Sequence, residues 1–416
     1  MTTAVGTNWA GNLAYSATEI ARPTSVEALA DVLRGASRVR ALGTRHSFNR
    51  IADTHSTLVS VSALPSVADI FADQRLVRVS AGTRYGDLAA ELQAAGWALP
   101  NLASLPHISV AGAVATGTHG SGDRVPSLAA SVARVEFVTP DGDLHSLKRG
   151  DADFEGAVVS LGALGVMVAI DLDIVPSFEI AQTVFEGLPW DGVLADLDAV
   201  TALGYSTSMF TTWRDADVVD QLWMKARVDA GGTVPDEVLG ARPAPEDRHP
   251  LPGVSAVNCT PQQGSAGPWL DRLPHFRMGF QPSNGEELQS EYLVPRRFAV
   301  EALGTLRSLA GRISPLLQVC EVRTVASDGL WLSSSYETDA VGLHFTWLPD
   351  QPGVEAFLPD LEAALAPFDA RPHWGKLFVG RDVGRLYPRW SDFAALRERF
   401  DPRGVLRNDW MAELGL

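Results

Sequence analysis

The chain has 416 residues, more than one core usually serves, so two or three domains are expected. Its 46% apolar and 20% charged residues are ordinary globular composition, which excludes disorder as a whole-chain state. Acidic residues outnumber basic ones by 50 to 34, a net charge of −16, and such a surface repels nucleic-acid phosphates and anionic lipid. Two cysteines in a chain this long, Cys259 and Cys320, suit a reducing compartment. The N-terminus lacks a basic segment and a long apolar core, and the apolar run near 165–175 is interrupted by Asp171 and Asp173. No signal peptide and no membrane span are expected, which points to a cytoplasmic protein. Nothing demands a partner chain, and a monomer is expected.

In chain order, S-V-E-A-L-A-D-V-L-R from Ser25 to Arg34 predicts an amphipathic helix capped by Thr24 or Ser25. Val39 to Gly43 reads as a short strand running into the turn G-T-R-H-S-F-N, which holds His46. Thr57 to Val61 and Leu76 to Ser80 alternate as strands do, and Asp87 to Ala95 reads as a helix stopped by Gly96. After a glycine-rich stretch from Ser104 to Gly122, Val132 to Thr139 predicts a strand, P-D-G-D a tight turn, and Val166 to Val175 another strand. The first 175 residues are therefore α+β without strict β-α-β alternation. No G-x-G-x-x-G follows a strand and opens a helix, so a Rossmann fold is not supported. The proline-rich and charged stretch from Pro235 to Pro252 reads as a surface excursion within a second domain. No internal repeat is visible.

Two segments suggest a cofactor. Gly112, Gly117, Gly120 and Gly122 alternate with Ala and Thr, so main-chain N–H groups can approach phosphate oxygens. A tight structural loop explains such a segment equally well when it stands alone. Paired with the His46 turn, it suggests a phosphate-containing cofactor beside a nucleophilic imidazole. Three segments of the second half suggest a polar pocket. Strand geometry puts Glu321 and Arg323 on one face of C-E-V-R-T, and His344 and Thr346 on one face of G-L-H-F-T-W. If these strands are neighbours, four polar groups converge, and P-H-W-G-K-L-F adds Lys376. A solvated sheet face with a routine salt bridge is the alternative for any one pair; three aromatic-rich segments together favour a sugar- or polyol-sized pocket. His107, His119, His344 and His373 form no H-E-x-x-H or i,i+4 pair, and there is no C-x-x-C, so no metal site is expected. The absence of a G-x-S-x-G elbow argues against a serine hydrolase.

G-T-R-H-S-F-N, A-G-T-R-Y-G-D-L (Ala81 to Leu88) and the Ser104–Gly122 loop together resemble the FAD domain of the vanillyl-alcohol oxidase superfamily. N-W-A-G-N, H-F-R, L-Q-S-E-Y-L-V-P, C-E-V-R-T, H-F-T-W and R-P-H-W-G-K narrow the resemblance to its alditol oxidase (xylitol oxidase) branch, related to the sugar-1,4-lactone oxidases. The resemblance runs from about Thr7 to Asn408. It implies an α+β flavoprotein: a PCMH-type FAD-binding domain over 1–179, a sheet-based substrate (cap) domain over 180–371, and a segment over 372–416 returning to the FAD domain. It implies FAD bound covalently through His46. The remaining cofactor contacts would come from Leu42, Gly43, Thr44, Arg45, Ser47 and Phe48, from Ser104, His107, Gly112, Thr116, Gly117, Thr118 and His119, and from Gly162, Val166 and His373. Arg45, next to His46 where many members have a small residue, would lower the imidazole pKa if it lies alongside and leave it alone if the adjacent side chains point apart. Ser104, Glu321, Arg323, Thr346 and Lys376 match the family's catalytic residues, and His344 joins them in binding a small polyol. The activity implied is oxidation of an alditol's terminal hydroxyl to an aldose, with O2 reduced to hydrogen peroxide. A sugar-1,4-lactone oxidase or dehydrogenase is the near alternative, and a non-catalytic sugar-binding protein the distant one.

Overall fold

The computed structural model describes residues 5–280 and 286–416. The extreme N-terminus, residues 1–4, on which part of the signal-peptide reading falls, lies outside the described residues. Among these residues the strands are β1 (Glu19–Ala21), β2 (Val39–Ala41), β3 (Thr57–Val59), β4 (Ala68–Phe71), β5 (Leu76–Ser80), β6 (Trp97–Ala98), β7 (Val132–Val138), β8 (Leu144–Lys148) and β9 (Val166–Asp173) in the first part. They continue with β10 (Val175–Pro176), β11 (Glu179–Pro189), β12 (Ser206–Thr211), β13 (Val218–Arg227), β14 (Gln263–Pro268), β15 (Leu288–Pro295), β16 (Leu317–Val325), β17 (Ala340–Trp347) and β18 (Arg371–Pro372). Strands β1, β3 and β2 form a small parallel sheet in that order, and β4-β5-β9-β7-β8 an antiparallel one. A large antiparallel sheet carries the order β14-β11-β13-β12-β16-β17-β15-β18. The class is α+β, as expected.

The local signals that fixed the first half are visible. Ser25 caps the helix Val26–Gly35 by accepting from the Ala28 N–H, with Glu27 in its first turn and Arg34 in its last. The helix Tyr85–Ala94 ends before Gly96, whose φ of +79° is the left-handed turn that glycine adopts at no steric cost. The strand expected over Val39 to Gly43 is shorter, because the chain leaves the sheet at Leu42 to enter the His46 turn. The glycine-rich stretch is not all loop: Val110–Ala115 is a short helix. The Pro235–Pro252 segment is not wholly on the surface either. Ala244 N–H donates to the Val184 carbonyl at 2.8 Å, and His249 is buried, which brings Pro250 and Leu251 against the central cavity.

The large sheet has two buried faces. On one, Val322, Leu343, Phe345 and Trp347 pack with Leu303, Leu306, Val354, Leu358 and Leu361 of the helices Ala299–Ser308 and Gln351–Leu365. Phe345 and Trp347 stack with ring centres 4.9 Å apart. The other face carries the polar residues, for the period-two reason that alternate side chains leave a strand on opposite sides. The chain end packs on the first sheets: Val39 N–H bonds the Val405 carbonyl at 2.8 Å, and the Asn408 amide reaches the carbonyls of Arg50, Ile51 and Asp53.

Candidate active site

One cavity of about 420 Å³ lies between the polar face of the large sheet and the loops of the first half, within the range of small-molecule sites. The sheet register builds one wall. Phe210 of β12 opposes Glu321 of β16, Glu321 opposes His344 of β17, and His344 opposes Glu291 of β15, a single row across four strands. Val319 and Thr346 form the next rung, with Gln289 beyond Thr346, and Arg323 stands one rung the other way opposite Ser208. C-E-V-R-T and H-F-T-W are therefore adjacent strands, and their four polar side chains do converge.

Glu291, to which the sequence reading gave no role, is the centre of that cluster. Its carboxylate lies 2.7 Å from Arg323 Nη2, 2.5 Å from Lys376 Nζ and 3.2 Å from His119 Nε2, and it is fully buried. Burial opposes its ionisation, but Arg323, Lys376 and His119 together hold its pKa well below the ordinary carboxylate value. Alternation in L-Q-S-E-Y-L-V-P, which places Gln289 and Glu291 on one face, is the sequence signal that would have found it. Lys376 Nζ also reaches His344 Nδ1 at 2.5 Å, so the imidazole accepts there and its Nε2–H donates to Thr346 Oγ1 at 3.2 Å. Burial first, then the Lys376 charge, push His344 down to about 4, in keeping with that neutral tautomer. Burial lowers Lys376 as well, against the pull of Glu291. Arg323 Nη1 stands 3.4 Å from Ser104 Oγ. Glu321 takes a hydrogen bond from His275 Nε2 at 2.9 Å, and although burial opposes it, Arg323 and His275 keep this carboxyl far on the ionised side. His275 belongs to the H-F-R segment, and its part was likewise missed.

The opposite wall comes from the first half. The His46 turn is clamped onto the Lys376 segment: Phe48 N–H donates to the Gly375 carbonyl at 2.8 Å, and the Asn49 amide to those of Trp374 and Lys376. His46 stacks on Trp9, ring centres 5.3 Å apart, and its Nδ1 is buried without a hydrogen-bond partner. Burial, then the His107 charge, push the imidazole down to about 4. Arg45 plays no part in that shift, because the adjacent side chains point apart. Its backbone takes a φ of +65°, and its guanidinium turns away to the Val5 and Thr7 carbonyls at 2.9 and 3.1 Å.

A flat ligand with a phosphate arm fits this wall. A Cβ on Gly43 or Gly112 would come within 2.7 or 2.8 Å of Ser109 Oγ, so both glycines let the His46 turn and the helix Val110–Ala115 pack closely about Ser109. The helix amides of Val110 and Ala111 are bonded to the Thr83 and Ala81 carbonyls, so close approach rather than these two N–H groups makes the cradle. Leu42, Gly43, Thr44, Arg45, His46, Ser47, Phe48, Ser104, Gly112, Thr116, Thr118, His119, Gly162, Val166 and His373 all line the cavity. Two expected cofactor residues do not. His107 bonds the Met278 carbonyl through Nε2 at 2.9 Å, and Gly117 serves a left-handed turn at φ +66° beside Val159. No group of three or more His, Cys, Asp or Glu able to hold a metal occurs among the described residues, and Cys259 and Cys320 are free and buried. No helix among the described residues is long and apolar enough to cross a membrane.

Comparison with known proteins defines the class. Residues 17–148 match the FAD binding domain family, and residues 284–414 match the D-arabinono-1,4-lactone oxidase family. The cholesterol oxidase of B. sterolicum superposes with a TM-score of 0.79 over 98% of this chain and 96% of its own, at 14% identity, which establishes a shared PCMH-type flavoprotein fold. Together with the full-length relative that follows, these matches make the chain an FAD-dependent oxidoreductase of the vanillyl-alcohol oxidase superfamily. Within it, the alditol oxidase of Streptomyces sp. (strain IKD472) is 49% identical over 100% of this chain and 99% of the relative. The L-gulono-1,4-lactone dehydrogenase of Mycobacterium tuberculosis is 29% identical over 98% of both chains. The protein belongs to the alditol oxidase family.

Proposed function

We propose that this protein oxidises the terminal primary hydroxyl of xylitol- or sorbitol-like alditols to the aldose, with O2 as the final acceptor. The observation that carries the reading is the cluster of Glu321, Arg323, His344, Thr346 and Lys376 on one sheet face, opposite the glycine-lined wall that holds His46. FAD, when bound, supplies the chemistry of taking a hydride at N5 and passing both electrons to O2, which gives hydrogen peroxide. His46 would hold it covalently: its neutral, buried imidazole has a nitrogen without a partner, as a nucleophile toward a flavin methyl position needs. Gly43, Gly112 and Gly162 would let the cofactor approach the backbone.

The chain's own groups bind and orient the polyol. Glu321, ionised, accepts from hydroxyls, and Ser104 and Thr346 offer oxygens of either role. Arg323 and Lys376 face the same space and stabilise negative charge developing on the oxygen that loses its proton. His344, held neutral with Nδ1 directed at Lys376, fixes the ammonium between itself and Glu291. The two buried thiols and the acidic surface suit a cytoplasmic, monomeric enzyme.

Absorbance spectra before and after acid precipitation, with anaerobic xylitol added to a second aliquot, test both halves. Flavin kept in the acid pellet and bleached by xylitol is expected. Flavin lost to the supernatant removes the His46 bond, and no bleaching removes the polyol substrate. The rival is a sugar-1,4-lactone oxidase or dehydrogenase, disfavoured because such enzymes are only distant relatives; peroxide release from a 1,4-lactone but not from xylitol would establish it.

A further inference from the structure

Behind Glu321 lies a second buried chain of titratable groups. Lys225 on β13 is 1% exposed, and its ammonium donates to the Leu273 carbonyl and to His275 Nδ1 at 3.2 Å. His275 Nε2 in turn reaches Glu321 Oε1 at 2.9 Å. Glu321 and His275 line the cavity, whereas Lys225 does not. Three buried ionisable side chains in series are costly unless each is bonded to the next, and the binding roles assigned above leave two of them unused.

We propose that Lys225 and His275 are a positioning pair for Glu321: the ammonium occupies His275 Nδ1, fixes the Nε2–H tautomer, and so locks the carboxylate as an ionised acceptor aimed at the polyol. The imidazole has only one proton to place when neutral, and a donor at Nδ1 forces it onto Nε2. The rings of Phe210 and Trp223 pack edge-on to His275, at 5.5 and 5.0 Å between centres, and leave the ring little freedom to turn. The charged and titratable groups around the pair are Glu321 and Arg323 from β16 and Cys259 from the preceding loop; Gln182 of β11 and Ser206 of β12 oppose Lys225 in the ladder. Burial pushes Lys225 down to about 7 although Glu321 opposes the shift, and burial followed by the Lys225 charge pushes His275 down to about 4. The ammonium is consequently lost as pH rises through neutrality. The lock opens with it, because a neutral amine no longer dictates which imidazole nitrogen carries the proton.

This inference rests on the reading of Glu321 as a polyol ligand, and the experiment separates the two. Peroxide release from xylitol by the purified holoenzyme is measured from about pH 6 to about pH 10 for the parent, Lys225→Met, His275→Gln and Glu321→Ala. The parent kcat/KM is expected to fall as pH rises through the Lys225 titration. Lys225→Met is expected to lose about 10-fold to 100-fold at neutral pH, chiefly through KM, as removal of a partner behind a functional imidazole does, and to lack that alkaline limb. His275→Gln keeps an N–H near Glu321 and is expected to retain more activity while also losing the limb. A folded Lys225→Met or His275→Gln enzyme, with the parent flavin spectrum, that keeps the parent KM and alkaline limb overturns the proposal. Should Lys225→Met not fold, His275→Gln decides alone. Parent-like turnover in Glu321→Ala would instead sink the substrate reading itself.

Discussion

At the residue scale the site is an exercise in burying charge in pairs. Glu291 has no reach to solvent, yet it stays ionised because Arg323 and Lys376 each donate to it. Lys376→Ala is expected to lower kcat with xylitol by about 10²- to 10³-fold, the range for losing one group that stabilises charge in a reacting site, and Glu321→Ala by about 10²-fold through misplacement of the polyol. The flavin absorbance should be unchanged, since neither side chain belongs to the His46 wall; near-normal turnover in either variant would refute their assigned roles. His46→Ala tests the other wall. Trp9 stacks on this ring and the segment is pinned by Phe48 and Asn49, so the fold should survive the change. The variant is expected to release its flavin into the acid supernatant, and flavin retained in the pellet would disprove attachment at this residue. The positions of Glu321, Arg323 and Thr346 were legible, because strand alternation alone puts like-facing residues two apart, and Lys376 was legible from the R-P-H-W-G-K motif. Alternation marks the face on which Glu291 stands, but the parts of Glu291, His275 and Lys225 were not legible, because each acquires its part only from a neighbour far along the chain: 32 positions separate Glu291 from Arg323, 46 separate His275 from Glu321, and 50 separate Lys225 from His275.

At the element scale β16 and β17 do two jobs at once. Their inner face carries the polar cluster, and their outer face, with Phe345 and Trp347, seats the helices Ala299–Ser308 and Gln351–Leu365. Trp347 is wholly buried, its indole N–H donating to Ser290 Oγ at 2.9 Å, and its ring lies 6.0 Å from Phe357. Trp347→Ala is expected to cost about 3–5 kcal/mol, the usual loss for emptying a buried aromatic site. Ser25→Ala, which removes only the cap of the helix Val26–Gly35, should cost about 1 kcal/mol. Chemical denaturation of the two variants checks the order, and equal midpoints would contradict this account of the sheet. The cap and the Gly96 stop were readable because they are local bonds between residues a few positions apart. The turn of 42–49 out of β2 was less so: it is held by Gly375, Trp374 and Lys376, more than 300 residues on.

At the scale of the whole molecule the buried histidines set a pH limit. His249, His275 and His344 each have a folded pKa pushed down to about 4 by burial, against 6.5 for the free side chain. In that window the unfolded chain binds more protons than the folded one, so the histidines' contribution to stability is complete above about pH 6.5 and is lost as pH falls towards about 4. Below the ordinary carboxylate range Glu291 and Glu321, whose folded pKa values are depressed, add a loss of the same sign. Thermal unfolding followed from neutral pH downward is expected to show Tm falling through this interval. A Tm that stays level or rises on acidification would contradict the burial of these groups as neutral imidazoles.

The sequence by itself determined the composition of the two walls: a histidine in a glycine-started turn, a small-residue stretch that keeps side chains out of the way, and acidic and basic residues alternating with core residues along two strands. These follow from bond geometry with periods of two or four residues, which a linear reading can apply. Only the tertiary structure decided that β15, β17, β16 and β12 lie side by side in that order, so that Glu291, His344, Glu321 and Phe210 share one row. It decided too that His107 and Gly117 stand off the cavity and that Arg45 faces away from His46. Strand order and register are set by how the whole buried surface packs, a sum over contacts between distant segments that no local pattern encodes.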